Sequence, residues 1–420
     1  MLGGLVFFCL LCAGVFVSAR WVVFESPTQL TVTLRVSKGT VGLAEPDSDE
    51  KAVRGVASVG SGDTLRTDNI SQGYLAFSDP YSGEMIATVM LRTDSAATLR
   101  AGSRPRFSLS ANPYAIRLTE VTGRVEVWVN AGLERDIRLE IKSPLGTTHI
   151  EGAGNFLIDS SPAALTVVAR AGNAILIGAG GAAQHLAMTT QGMIRRGDPA
   201  ITVGPGPIDL LPNSTFGQNK EWANEWICGH FPDAGFPNAP GANINYPTID
   251  GRSTIHFERL TPNPGPAKTG CFQTFGETTQ GLDVREYAAL RLRVTMRAHY
   301  QSLSACGDKG SECPAMLHMT YTDQDGNPRE WYHGFYAQYT PNLGLRTCDS
   351  CREEHEWINK DAWYTYESGD LFTELPADLR PGWINELEFY ASGHEYDAVF
   401  SEVALVATRS GGAPETATAP

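Results

Sequence analysis

The sequence predicts an all-β protein behind one apolar helix, and three observations carry that expectation. First, apolar and polar residues alternate in Leu30-Thr31-Val32-Thr33-Leu34-Arg35-Val36, in Gly123-Arg124-Val125-Glu126-Val127-Trp128-Val129 and in Ile137-Arg138-Leu139-Glu140-Ile141. A period of two sends successive side chains to opposite faces, the pattern of half-buried strands. Second, 43 Gly and 25 Pro among 420 residues cluster into turn signals such as Gly60-Ser61-Gly62-Asp63, Ser78-Asp79-Pro80 and Asn130-Ala131-Gly132, at the spacing of an all-β fold. Third, a charge-free apolar run stands at the N-terminus. The length allows two or three domains, each with its own core. With 42% hydrophobic and 19% charged residues, a coiled coil and a disordered chain are excluded. A formal charge of −14 with no Lys/Arg-rich run repels phosphate backbones, so nucleic acid is not an expected partner.

Met1 to Ala19, MLGGLVFFCLLCAGVFVSA, carries no charge and as a helix is long enough for a hydrocarbon core of about 30 Å. We assign residues 1–24 to a membrane anchor or signal segment. Val17-Ser18-Ala19 satisfies the small-x-small rule of a signal-peptidase site, but the run exceeds the usual apolar core of a cleaved signal, which favours the anchor. No Lys or Arg precedes the run and Arg20 follows it, so flanking charge does not set its orientation. Phe8 and Leu11 stand before Cys9 and Cys12, where a lipoprotein signal needs a small residue.

Residues 31–198 form the first expected β domain. A Gly followed by alternating apolar residues recurs at Gly39-Thr40-Val41, Gly123-Arg124-Val125-Glu126-Val127 and Gly172-Asn173-Ala174-Ile175-Leu176-Ile177, at unequal intervals; this reads as a reused hairpin rather than a solenoid. The ordered series Gly62-Asp63-Thr64-Leu65-Arg66-Thr67, Gly73-Tyr74-Leu75-Ala76-Phe77, Gly123 to Val127, Ser143-Pro144, Glu151 to Ile158, Val167 to Ile177 and Thr190-Gln191-Gly192 resembles the FecR-type extracytoplasmic β domain. The resemblance implies a β-rich module outside the cytoplasm, with Val167–Ile177 as its closing hairpin. In sensory members a cytoplasmic anti-sigma segment precedes the membrane helix. The sequence has none before Met1, which argues against sigma-factor signalling by the chain as given.

Residues 199–212, with four Pro and two Gly after Asp198, suggest an extended linker. Beyond it, residues 213–409 hold six of eight Trp (including Trp222 and Trp226), seven of nine His and six of eight Cys. Alternation returns at Ala289–Met296, Met316–Tyr321 and Val399–Ala407, and the pattern resembles a jelly-roll β-sandwich of the carbohydrate-binding-module kind. The Gly/Pro/Ala/Thr-rich tail, 410–420, is expected to be disordered.

The late cysteines suggest disulfides and hence an oxidising compartment. We expect Cys228 with Cys271, Cys306 with Cys313, and Cys348 with Cys351, while a zinc site held by the last four thiolates remains an alternative. Gly178-Ala179-Gly180-Gly181-Ala182-Ala183 matches a dinucleotide fingerprint in spacing, but with no βαβ context it reads as a turn between strands. Arg352-Glu353-Glu354-His355-Glu356-Trp357 sets carboxylates beside an imidazole; a solvated loop is the favoured reading. Esterase, zinc-protease and phosphate-loop signatures are lacking. No residue is assigned a catalytic, cofactor-binding or metal-ligating role, and we expect no enzyme.

Aromatic rings alternate with polar residues around Trp331, Tyr336, Trp357 and Trp363, and such rings with polar edges suit a sugar-binding surface, although most must fill the sandwich. The expected function is therefore non-catalytic: an extracytoplasmic envelope protein, membrane-anchored or secreted, that recognises polysaccharide or a cell-surface protein through its C-terminal sandwich. A FecR-type regulator sensing a partner and a carbohydrate-active enzyme are the alternatives.

Overall fold

A computed structural model describes residues 2–198, 200–217, 225–232, 235–261, 265–276 and 281–409. Pro199, Trp222 and the tail expected to be disordered, 410–420, lie outside them. Among the described residues the chain is all-β apart from the 23-residue N-terminal helix Leu2–Phe24 and two short helical turns at Leu371–Glu374 and Ala377–Leu379. The helix is long and apolar enough to cross a membrane over Phe7–Phe24.

The chain divides into two compact units, the first with its body in Thr40–Gly204 and the second from Pro205 onward. In the first, short strands make two sheets that close into a barrel. The long strand Tyr114–Val129 belongs to both. Its first half pairs with Ile137–Ser143 and Ala96–Pro105, its second half with Gly154–Ser160 and Met85–Leu91. The change of sheet comes at Glu120 and Gly123, with φ of 56° and 76°. A side chain at Gly123 would place Cβ 2.4 Å from the Asp94 carbonyl oxygen, so only glycine fits.

The recurring Gly elements are thus corners, not hairpins. Thr31–Lys38 and Val41–Ala44 flank Gly39 but pair with strands of different sheets. Likewise Ala164–Ala171 pairs with Gly154–Ser160 and Thr190–Arg195, whereas Ala174–Gly178, past Gly172, pairs with Gly146–Ile150 and Ala183–Leu186. The expected closing hairpin at Val167–Ile177 is therefore corrected to a sheet-to-sheet crossing. The Gly-rich 178–183 segment is a turn, with Gly178 N–H donating to the Ala182 carbonyl at 2.8 Å.

This unit holds an apolar interior and a buried ion pair between Asp79 and Arg104. Asp79, fully buried, accepts from Arg104 and, at 3.1 Å, from the Tyr114 hydroxyl. Burial alone would raise its pKa, but the Tyr81 and Ser82 N–H groups, Tyr114 and Arg104 together hold it below the usual carboxylate value.

The second unit packs two large, mainly antiparallel sheets face to face. One contains Ile255–Arg259, Tyr396–Arg409, Tyr287–Gln301 and Tyr364–Glu367; the other contains Ile227–Pro232, Ala267–Thr274, Pro381–Gly393, Ala315–Asp323 and Pro328–Tyr336. The inward set includes Phe257, Phe389, Phe400 and Trp226, with Phe389 4.8 Å from Phe400 and 5.0 Å from Trp226 between ring centroids. The expected linker is not wholly free-standing. Ile208–Asp209 pairs with Ala407 and Val406, and Leu211 enters the sandwich core, because its apolar residues complete an otherwise open sheet edge.

Arg293, 1% exposed, bonds Glu402 at 2.9 Å and Glu367 at 3.2 Å. Arg259 donates to the Pro240, Gly265, Gly393 and His394 carbonyls. Disulfides join Cys228 to Cys271, Cys306 to Cys313 and Cys348 to Cys351. These sulfurs are committed to each other, which excludes the four-thiolate zinc alternative in this state.

Candidate functional site

The outer face of the second unit's larger sheet carries rows of polar side chains. Pro328–Tyr336 pairs with Ala315–Asp323, which pairs with Pro381–Gly393. Alternation sends Trp331, His333 and Phe335 inward, with exposures of 3%, 1% and 0%, and turns Glu330 and Tyr332 outward. Cross-strand registers set His318 beside both Tyr332 and Glu388, and Thr320 beside both Glu330 and Glu386.

Above these rows the loop carrying the Cys348–Cys351 disulfide forms one wall of a groove of about 750 Å³, lined by Thr320, Arg329, Glu330, Asp349, Arg352 and Asn385. Arg329 is held from behind by Asp323 at 2.9 Å, and Asn385 by the Thr322 hydroxyl at 3.1 Å. Arg352 also lines a smaller, more enclosed cavity of about 270 Å³, whose other walls include Trp331, Tyr366, Glu353, Leu371 and Glu374. An open polar channel and an aromatic-walled recess thus share Arg352 as a wall residue.

His355 anchors this loop region. The ring is 4% exposed; its Nδ1 accepts from Gly334 N–H at 2.9 Å, and Nε2 meets the Gly310 carbonyl at 2.7 Å. Those partners require the neutral tautomer protonated on Nε2. Burial lowers its pKa to about 4. The expected solvated loop at 352–357 is therefore corrected in part: Arg352 and Glu353 line cavities, while His355 is a buried pin between the strand at Gly334 and the loop at Gly310.

The four expected sugar-binding rings are not brought together. Trp331 is 3% exposed and walls the small cavity. Tyr336, at 4%, lies beneath the 305–313 loop with Cys306, Cys313 and Met316. Trp363, at 1%, donates from Nε1 to Asp250 at 2.8 Å beneath the Arg297 guanidinium. Trp357 is exposed, near Tyr339. Alternation gives the face of a strand, but a loop folded over that face can bury it again, which corrects the expected exposure of Tyr336. Arg329, Arg352 and Asn385 carry no local motif; strand register brings Arg329 and Asn385 to one place and the disulfide loop adds Arg352.

No protein-family model and no curated protein sequence matches the chain. Solved structures do show similarity. A candidate anti-sigma factor from Parabacteroides distasonis is 11% identical, with TM-score 0.25, over 40% of this chain and 68% of that one. The carbohydrate-binding module TmCBM61, solved with β-1,4-galactotriose, is 10% identical, with TM-score 0.24, over 47% of this chain and 97% of that one. SGBP-B, from a xyloglucan utilization locus in Bacteroides uniformis, is 10% identical, with TM-score 0.25, over 82% of this chain and 96% of that one.

Proposed function

We propose that the chain is a non-catalytic extracytoplasmic envelope protein, directed to the membrane by Leu2–Phe24, whose second unit binds polysaccharide in the groove beside the Cys348–Cys351 loop. The observation that supports this reading is that Arg352 lines both the polar groove and the aromatic-walled cavity. Arg329, Arg352, Glu330, Asp349 and Asn385 offer donors and acceptors of both kinds, as a chain of hydroxyls requires, and the Trp331 and Tyr366 rings offer apolar wall for a sugar ring. Three disulfides support the extracytoplasmic part of the reading. We read residues 31–198 as a FecR-type module that carries the binding unit.

The test is retention of the full detergent-solubilised chain on a panel of insoluble polysaccharides and on a glycan array. Wild type is retained by at least one glycan, and Arg352→Ala weakens that binding by about tenfold, the loss of one charged hydrogen bond. A folded chain retained by nothing, or an Arg352→Ala variant of wild-type affinity, refutes the proposal.

A further inference from the structure

We propose that His318, Glu386 and Glu388 form a binding site for one divalent ion of the zinc class on the outer face of the larger sheet. His318 and Glu388 are direct cross-strand partners, and Glu386, two residues along, projects from the same face. One ligand atom from each residue lies within 4.8 Å of the others. His318 Nδ1 is 3.2 Å from Glu388 Oε2, a spacing that two ligands of one ion also adopt.

The imidazole is fixed in advance. Tyr332 stacks on it with centroids 4.1 Å apart and planes 5° from parallel, so the ring loses little freedom on coordinating. Its Nε2 is buried with no hydrogen-bond partner among the described residues. That nitrogen can keep the ring proton while Nδ1 gives its lone pair to an ion in place of the proton shared with Glu388.

Charge points the same way. Glu388 is 3% exposed, and its other oxygen meets Lys268 Nζ at 2.7 Å. Lys268 is held to one side by the Phe231 and Tyr390 rings, 5.0 and 4.8 Å away. The ammonium thus sits on Glu388, and Glu386 adds a second carboxylate to the same face. One imidazole with two carboxylates is a mixed nitrogen and oxygen set, which suits zinc better than the all-oxygen shells of calcium or magnesium. Thr320, the cross-strand neighbour of Glu386, and Asn385, its neighbour in sequence, both line the groove. The site therefore borders the proposed glycan channel without depending on it.

The experiment titrates the tag-free full chain, stripped with EDTA and kept non-reducing, with zinc chloride alone in a calorimeter. Wild type binds one equivalent. Glu386→Gln and His318→Gln each weaken binding by about tenfold or more, and Lys268→Met tightens it by removing the resident cation. Circular dichroism and melting confirm that the variants fold; should His318→Gln unfold, Glu386→Gln and the cobalt(II) spectrum of wild type decide. No binding at millimolar zinc, wild-type affinity in folded Glu386→Gln, or a thiolate-to-cobalt charge-transfer band overturns the proposal. Each result is read without polysaccharide, so failure here leaves the glycan reading untouched.

Discussion

The two units solve the same problem with different means. Within the first, short strands turn at glycine corners, and a buried charge pair, Asp79 with Arg104, supplements the apolar interior. No cysteine lies between Ala13 and Ile227. The second carries long loops over its sandwich and ties them with the Cys306–Cys313 and Cys348–Cys351 disulfides, a neutral buried histidine and the Arg259 guanidinium, while Cys228–Cys271 and the buried Arg293 link neighbouring strands. Loops that build a groove cannot also bury enough apolar surface to hold themselves, so covalent and polar anchors take over.

Breaking the anchors one at a time sharpens that contrast. The largest effect is expected for Asp79→Ala, which leaves Arg104 buried without its partner and costs about 3–5 kcal/mol. Urea unfolding should show the first unit's transition shifting while the second's stays in place. Replacing Cys228 and Cys271 together by Ala opens a loop with sequence separation 43 and should cost the second unit about 4 kcal/mol. The same replacement at Cys306/Cys313 and Cys348/Cys351, separations 7 and 3, should cost about 2.5 and about 2 kcal/mol. An order other than this would show that the short staples act on the folded loops rather than on the unfolded chain.

Acid should separate the units as well. His355 has its pKa lowered to about 4 by burial, against about 6.5 unfolded. Between those values the unfolded chain takes up a proton that the folded chain refuses. The stabilisation is complete above about pH 6.5 and is lost as pH falls to about 4, a change of about 3 kcal/mol. His355→Gln should flatten that limb of the second unit's stability curve. The smallest effect belongs to Trp357→Ala: the ring is 57% exposed, and its loss should move stability by less than about 0.5 kcal/mol and leave polysaccharide retention unchanged.

Much of this was legible in the chain. Period-two alternation placed Gly123–Val129 and Ile137–Ile141 in strands, and the late cysteines form the three expected pairs. The recurring Gly elements were visible, but what they do was not: Gly39, Gly123 and Gly172 all have positive φ, yet hairpin and corner share that local signature. The site was least legible. His318, Glu386 and Glu388 sit on two strands far apart in sequence, and only a register assigns them to one spot. Most of the aromatic rings were expected to fill the sandwich, but alternation alone did not say which; a loop over Tyr336 and a guanidinium over Trp363 decide those two.

The strand Tyr114–Val129 threads both sheets of the first unit. Neither sheet can peel away without tearing the backbone ladder of the other, so the amides on either side of Gly123 should exchange with deuterium at a common rate. The barrel is built to melt as one piece, and a partial opening that frees one sheet while sparing the other is not among its motions.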